Sequence, residues 1–265
     1  MRHRFRPART AAVLALAALA AGACEQPSLQ RQPPHLDGVG VEHNRTLTVL
    51  QLDAALVQVR FDPQGFGRIL EAAQSYYVRD RGFDRQQVEA VTAEILRVLA
   101  AAGLVAEQGG RRYVDLGDSP ASLLRAVDVL AREGRISPQL RDALYRVWSA
   151  GEKLQDVDAL LAFIDREFAG QKWSEKDQLV VDAFVQTARY SAVYWDRGDG
   201  APGMRKPWVT ILADALGGAV GGAAGALAGG PIGAGIGAGL FGAAVSSVFS
   251  RAAVGPGEGG TGPRR

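Results

Sequence analysis

Three histidines (His3, His35, His43) and one cysteine (Cys24) are all the imidazole and thiol chemistry in 265 residues. One cysteine excludes a disulfide framework and any multi-cysteine metal centre, and three scattered histidines leave little for a metal set or a triad. The chain has no H-E-x-x-H, no G-x-S-x-G, no C-x-x-C and no G-x-x-x-x-G-K-[ST]. Gly237, Gly239 and Gly242 satisfy G-x-G-x-x-G, but no strand pattern precedes them and no acid follows at the right distance, so the match is a by-product of glycine density. Asp156, Asp158, Asp165 and Glu167 share one helical segment at mixed spacing, which fits a solvated face better than an acid/base couple. No catalytic residue, metal ligand or cofactor is therefore expected. The one candidate polar site is His43 with Asn44, and a histidine without a titrating partner is weak ground for catalysis.

Cys24 points to different chemistry. Met1 to Thr10 carries four arginines and no acid, Ala11 to Ala21 is an unbroken Ala/Leu/Val run, and Gly22-Ala23-Cys24 follows. A basic region, a short apolar stretch and small residues at the exit are the parts of a secretory leader, here residues 1–23. The apolar run is too short to span a bilayer. The junction resembles the lipobox of bacterial lipoproteins, which implies lipidation of Cys24 as the mature N-terminus. It departs from that pattern in having Ala21 where leucine is usual, and Ala21-Gly22-Ala23 also reads as an ordinary A-x-A cleavage site. Residues 24–40, rich in Gln and Pro and without periodicity, read as a disordered tether. The formal charge of +2 becomes −2 once the leader's arginines are gone, so neither state carries a nucleic-acid footprint.

Glycine is the compositional anomaly: 33 of 265, about 12% against roughly 7% in ordinary proteins. Ala215 to Ser250 contains no charge, and Gly217, Gly221, Gly225, Gly229, Gly233 and Gly237 recur at a strict spacing of four. That spacing puts them on one face of a helix, where missing side chains let two backbones approach closely. Gly229-Gly230-Pro231 divides the segment into two arms, Val209–Ala228 and Ile232–Phe249. At ~1.5 Å per residue each arm reaches roughly 27–30 Å, about one hydrocarbon thickness. The segment resembles the glycine-zipper segments of bacterial envelope lipoproteins and of some pore-forming bacteriocins. The expectation is a membrane hairpin over 208–250 whose glycines pack helix on helix, within one chain or between chains; the alternatives are a low-complexity disordered tail or a hairpin packed on the bundle.

The elements that position these features are helical. Apolar stripes with caps recur from His43 to Gly198: Leu47/Leu50/Ala54/Val57 after Asn44 as N-cap; Phe66/Ile69/Leu70/Ala73/Tyr76/Tyr77 to Gly82; Val88/Val91/Ile95/Val98/Leu99 after the Asp84/Gln87 capping box, stopping at Gly103. Ser119-Pro120 and Ser137-Pro138 open two more, stopped by Gly134 and Gly151. Leu154 to Phe168 follows, and Ser174 with Asp177 caps a long last helix bearing Val180, Phe184, Thr187, Ser191 and Trp195. Each single stripe must pack on a neighbour, which predicts a bundle of six or seven helices over 41–198. Leu104 to Asp118 reads either as a hairpin turned at Gly109-Gly110, faintly like the wing of a winged-helix domain, or as the plainer and preferred loop between helices.

The order G-x-x-H-N-x-x-L (Gly40 to Leu47), helices, Y-S-x-x-Y-W (Tyr190 to Trp195) and a Gly/Ala-rich tail resembles a group of uncharacterised exported bacterial lipoproteins of the glycine-zipper type. The resemblance implies an all-α fold, a multi-helix bundle followed by a Gly-rich helical hairpin, and brings no activity with it. The full division is a leader 1–23, a lipidated tether 24–40, a bundle 41–198, a linker 199–207, a hairpin 208–250 and a tail 251–265. The function expected is that of an exported envelope lipoprotein, a structural or interaction module. Its partners are membrane lipid and other copies through the zipper, with no nucleic acid and no named protein partner. The alternative is a toxin-like protein whose hairpin oligomerises into a pore.

Overall fold

The computed structural model describes residues 38–52, 63–108, 111–117, 119–154, 156–196 and 207–253. Cys24, the leader, all but the last residues of the tether, and Ala54 and Val57 of the first stripe lie outside them. The described residues form eight α-helices and one two-stranded ladder. In chain order these are α1 (Val39–Leu52), α2 (Pro63–Ser75, continued by a π-helical turn Tyr76–Asp80), α3 (Arg85–Ala101), β1 (Val105–Gln108), β2 (Arg111–Val114), α4 (Leu123–Arg132), α5 (Pro138–Leu154), α6 (Val157–Phe168), α7 (Glu175–Asp196) and α8 (Pro207–Ala253). The all-α class and the bundle are as the stripes predict.

Most helix ends are where the caps put them. Asp84 accepts from the Gln87 amide at 2.9 Å, Ser137 from Leu140 at 3.1 Å and Ser174 from Asp177 at 3.1 Å. Gly82, Gly103, Gly134 and Gly170 close their helices with φ between 66° and 73°, a conformation glycine adopts without Cβ strain.

Three local expectations are corrected. Asn44 is not an N-cap: α1 already begins at Val39, and Asn44 lies inside it. Gly151 does not stop α5, which runs on through Leu154. It serves instead as a packing gap, because a Cβ there would lie 2.3 Å from Leu212 Cδ1 of α8. The segment after Gly103 is an antiparallel ladder, not a loop, with Val105 opposite Val114. It forms because Leu104, Val114 and Leu116 are buried against the helices while the Asp115 amide donates to the Leu104 carbonyl at 2.8 Å. The Gly109-Gly110 turn lies outside the described residues.

α8 is two helical arms joined at Gly229 and Gly230, where Gly230 takes φ 58° and Pro231 starts the second arm. The hairpin packs against α7 above all, and also against α1, α2, α3 and α4. The hairpin meets the length and apolarity of a membrane-crossing helix, yet 89% of its most apolar 18-residue window is buried by the rest of the chain. Glycine in a solvated helix costs about 1 kcal/mol against alanine. Here the glycines are buried, and their small cross-section lets the amphipathic helices close around one centre.

Candidate functional site: a buried polar cluster against the glycine hairpin

Asp214 is the only charged side chain between Lys206 and Arg251. It lies on the first arm of α8, fifteen residues or about four turns before the bend, and is fully buried. Its Oδ2 accepts from the Trp195 indole Nε1 at 3.0 Å and from the Ser191 hydroxyl in a short hydrogen bond. Ser191 and Trp195 are four apart on α7, so both project from one face. His43 of α1 brings Nε2 to 3.5 Å from the same oxygen, with neither side chain exposed. Three helices thus converge on one carboxylate.

Neighbouring contacts fix this convergence. Asn44 donates through Nδ2 to the Tyr190 carbonyl at 2.9 Å, tying α1 to the backbone beside Ser191. Gly40, one turn earlier on α1, leaves room for the Tyr190 ring: a Cβ there would fall 2.1 Å from a ring carbon. Gly242, on the second arm, does the same for the imidazole, since a Cβ there would lie 3.1 Å from His43 Nδ1. The cluster is not fully satisfied. Both His43 nitrogens, Asp214 Oδ1, Thr187 Oγ1 and Ser246 Oγ are buried without a hydrogen-bond partner. Such orphans in a dry interior are costly, and they mark places where a core is not optimised for stability alone.

A second polar group borders the other arm. Glu42 of α1, nearly buried, lies 2.8 Å from Arg81 Nε and 3.0 Å from Arg45 Nη1. The Tyr77 hydroxyl lies under Gly239, where a Cβ would be 2.1 Å away, and burial pushes that hydroxyl well above the ordinary tyrosine range.

The glycine stripe is used between the arms. A Cβ on Gly221 would come within 2.1 Å of the Gly237 carbonyl oxygen, and one on Gly225 within 2.0 Å of that of Gly233. A Cβ on Gly217 would lie 3.0–3.1 Å from Gly242 Cα and the Val245 side chain. Gly229 is the bend itself, beside Gln87. A second stripe went unread in the sequence: Gly218 and Gly222 face Thr187 and Ala183 of α7, at 2.6 and 3.0 Å from a would-be Cβ.

Ser191 gives its proton to Asp214 rather than to His43, so the serine–histidine bond needed for nucleophilic activation is not made. No group of three or more metal-ligating side chains occurs among the described residues. The carboxylates of the α6 segment act as caps and surface partners: Asp156 accepts from the Ala159 amide at 2.7 Å, Asp165 pairs with Arg189 at 2.7 Å and Glu167 with Arg146 at 2.5 Å. Sequence reasoning found His43, Asn44 and the Tyr190–Trp195 motif but missed Asp214, which is the residue that joins them. The available signal was a lone carboxylate at the edge of a long apolar run, which in such a setting is a functional-site candidate in its own right. No protein-family model, curated protein or solved structure matches this chain.

Proposed function

We propose that the protein is an exported envelope lipoprotein, tethered through Cys24, whose helical bundle is a structural or interaction module built around its glycine-zipper hairpin. One observation carries the reading: the hairpin's close contacts are made inside the chain, arm to arm and arm to α7, so the folded body holds its own apolar core. A self-contained body on a tether needs only the lipid to stay at a membrane, and a single signal plus local contacts suffices for reversible attachment. The leader, the cysteine at its end and the Gln/Pro-rich tether supply the sequence half of the argument. Self-association through the stripe requires the bundle to open, because the Gly221–Gly237 and Gly225–Gly233 approaches are already occupied. The test is palmitate labelling with membrane fractionation of wild type and Cys24→Ser. Label and sedimentation in the wild type, with both lost in the variant, support the tether; an unlabelled wild type cleaved after Ala23 sinks it.

A second reading, a pore-forming protein, draws on the hairpin's tip. Leu227 is 52% exposed and Pro231 is also exposed, so the hairpin reaches the surface at its uncharged bend. Dye release from sealed vesicles separates the two, since a tethered module leaves vesicles intact.

A further inference from the structure

We infer that Asp214 and His43 form an acid-sensitive lock that keeps the hairpin inside the bundle, and that adding protons to it frees the hairpin to enter a bilayer tip first. The inference goes beyond the tethering reading and does not depend on lipid at Cys24.

The argument starts from what the lock touches. Asp214 joins the first arm to α7 through Ser191 and Trp195 and to α1 through His43. Both donors converge on Oδ2, which requires an acceptor there. A proton on the carboxyl, at the unpartnered Oδ1, removes the negative charge to which Ser191 and Trp195 donate, so both bonds at Oδ2 lose their charge assistance. A proton on His43 puts a cation in a core where Nδ1 faces Gly242 and Nε2 faces Asp214, its one ion-pair partner among the described residues. Protonating both leaves that cation without its counter-charge, a costly state in a closed interior. The proton on Asp214 is therefore the one that weakens the grip of α1 and α7 on the hairpin, because it discharges the carboxylate that His43, Ser191 and Trp195 share.

The same proton on Asp214 changes the hairpin itself. Between Pro207 and Ser250 no other Asp, Glu, Lys or Arg occurs, so neutral Asp214 leaves 44 residues without a formal charge. A neutral side chain crosses or borders hydrocarbon at far lower cost than a carboxylate. The tip is already at the surface through Leu227 and Pro231, while Asp214 sits at the opposite, open end of the hairpin. The arms keep their mutual contacts through Gly221–Gly237 and Gly225–Gly233, so the hairpin can leave as a unit.

Other groups facing the hairpin do not substitute for the lock. From α1 Glu42 is paired with Arg81 and Arg45. From the end of α2 comes Tyr77, whose hydroxyl burial holds in the neutral form. At the bend α3 presents Gln87, and α5 presents Gly151 against Leu212; neither titrates.

The test uses the whole chain carrying Cys24→Ser, which removes the lipid, mixed with phosphatidylcholine vesicles, which remove electrostatic attraction. Flotation then reads the bound fraction at about pH 7.5 and about pH 4.5. The bound fraction is expected to rise at least about tenfold on acidification, since a net uptake of one proton on release shifts the equilibrium about tenfold per pH unit. Asp214→Asn should already bind at the higher pH to the level the parent reaches in acid. Leu227→Lys, which charges the leading tip, should abolish binding at both. An equal bound fraction at the two pH values, or Asp214→Asn keeping the parent's pH dependence, overturns the lock. If circular dichroism shows Asp214→Asn to be unfolded, His43→Gln decides: a dependence reduced by half or more supports the lock, and an unchanged one refutes it. Failure here leaves the palmitate result untouched, so the two readings stand or fall separately.

Discussion

Gly225 and Gly233 face each other across the hairpin so closely that a Cβ on Gly225 would fall 2.0 Å from the Gly233 carbonyl oxygen, and one on Gly233 would fall 2.2 Å from that of Gly225. The obstacle on each side is backbone, which cannot rotate away as a side chain can. Any side chain here must separate the arms, and because seven helices surround them the displacement spreads through a packed core.

Gly225→Ala should therefore lower stability by about 1–3 kcal/mol or more, the usual cost of overpacking. Gly235 lies on the other arm, beside Gly233, but a Cβ there meets only Val39 Cγ2 at 3.9 Å. Gly235→Ala should be neutral, or stabilising by up to about 1 kcal/mol, because alanine is the better helix former. Urea melts of the two variants check this, and equal losses in both would remove the packing role from the Gly225–Gly233 approach.

Gly40→Ala should be destabilising through the Tyr190 ring alone. Tyr190 is half-exposed and can swing outward, so the loss should be modest and should shrink in a Tyr190→Ala background. A double-mutant cycle reads the coupling directly, with about 0.5–3 kcal/mol expected for residues in contact.

Trp195→Phe keeps the ring contact with Tyr194 but removes the indole donor to Asp214. A hydrogen bond to a carboxylate lost in a closed interior should cost about 1.5–3 kcal/mol in a thermal or urea melt. No measurable loss would show that Ser191 alone satisfies the oxygen.

On the surface, Arg97 of α3 bonds Glu133 at the end of α4 at 2.6 and 2.9 Å, and this holds the Glu133 carboxyl below the ordinary range. A carboxyl depressed in the folded state adds stability above its unfolded value, and that contribution disappears as pH falls through the folded one. The gap in Tm between wild type and Glu133→Gln should be widest near neutral pH and close on acidification. A gap independent of pH would place the effect of the substitution elsewhere.

The bundle was legible because its stripes and caps agree: the residues expected to be buried in α2 through α7, from Phe66 and Ile95 to Phe184 and Trp195, are buried, apart from Leu154, which is exposed at the end of α5, and Leu161, which is half-buried. Errors arose where tertiary contacts override local signals. Gly151 looks like a stop by type, but α5 continues because Leu212 fills the space of its missing side chain. Asn44 has the chemistry of a cap, yet it spends its amide on α7. The spacing of four located the arm-to-arm contacts at Gly221, Gly225, Gly233 and Gly237. It could not reveal that the hairpin lies inside the bundle, since apolar length and composition are the same for a core helix and a span. Nor could it reveal Asp214 as the meeting point of His43, Ser191 and Trp195, because pairs 19 to 171 residues apart leave no local trace.

The central claim is that the hairpin is the core around which the bundle folds, and thiol accessibility tests it most directly. In the Cys24→Ser chain, which is otherwise free of cysteine, a single cysteine is placed either at Leu227, 52% exposed at the tip, or at Ala238, fully buried between Val39 and Ala183. In water at neutral pH, without lipid, the Leu227→Cys thiol should react with a maleimide nearly as fast as in denaturant. The Ala238→Cys thiol should react at least about a hundredfold more slowly and be released only with global unfolding. Equal, rapid labelling at both positions in the folded protein would contradict the account.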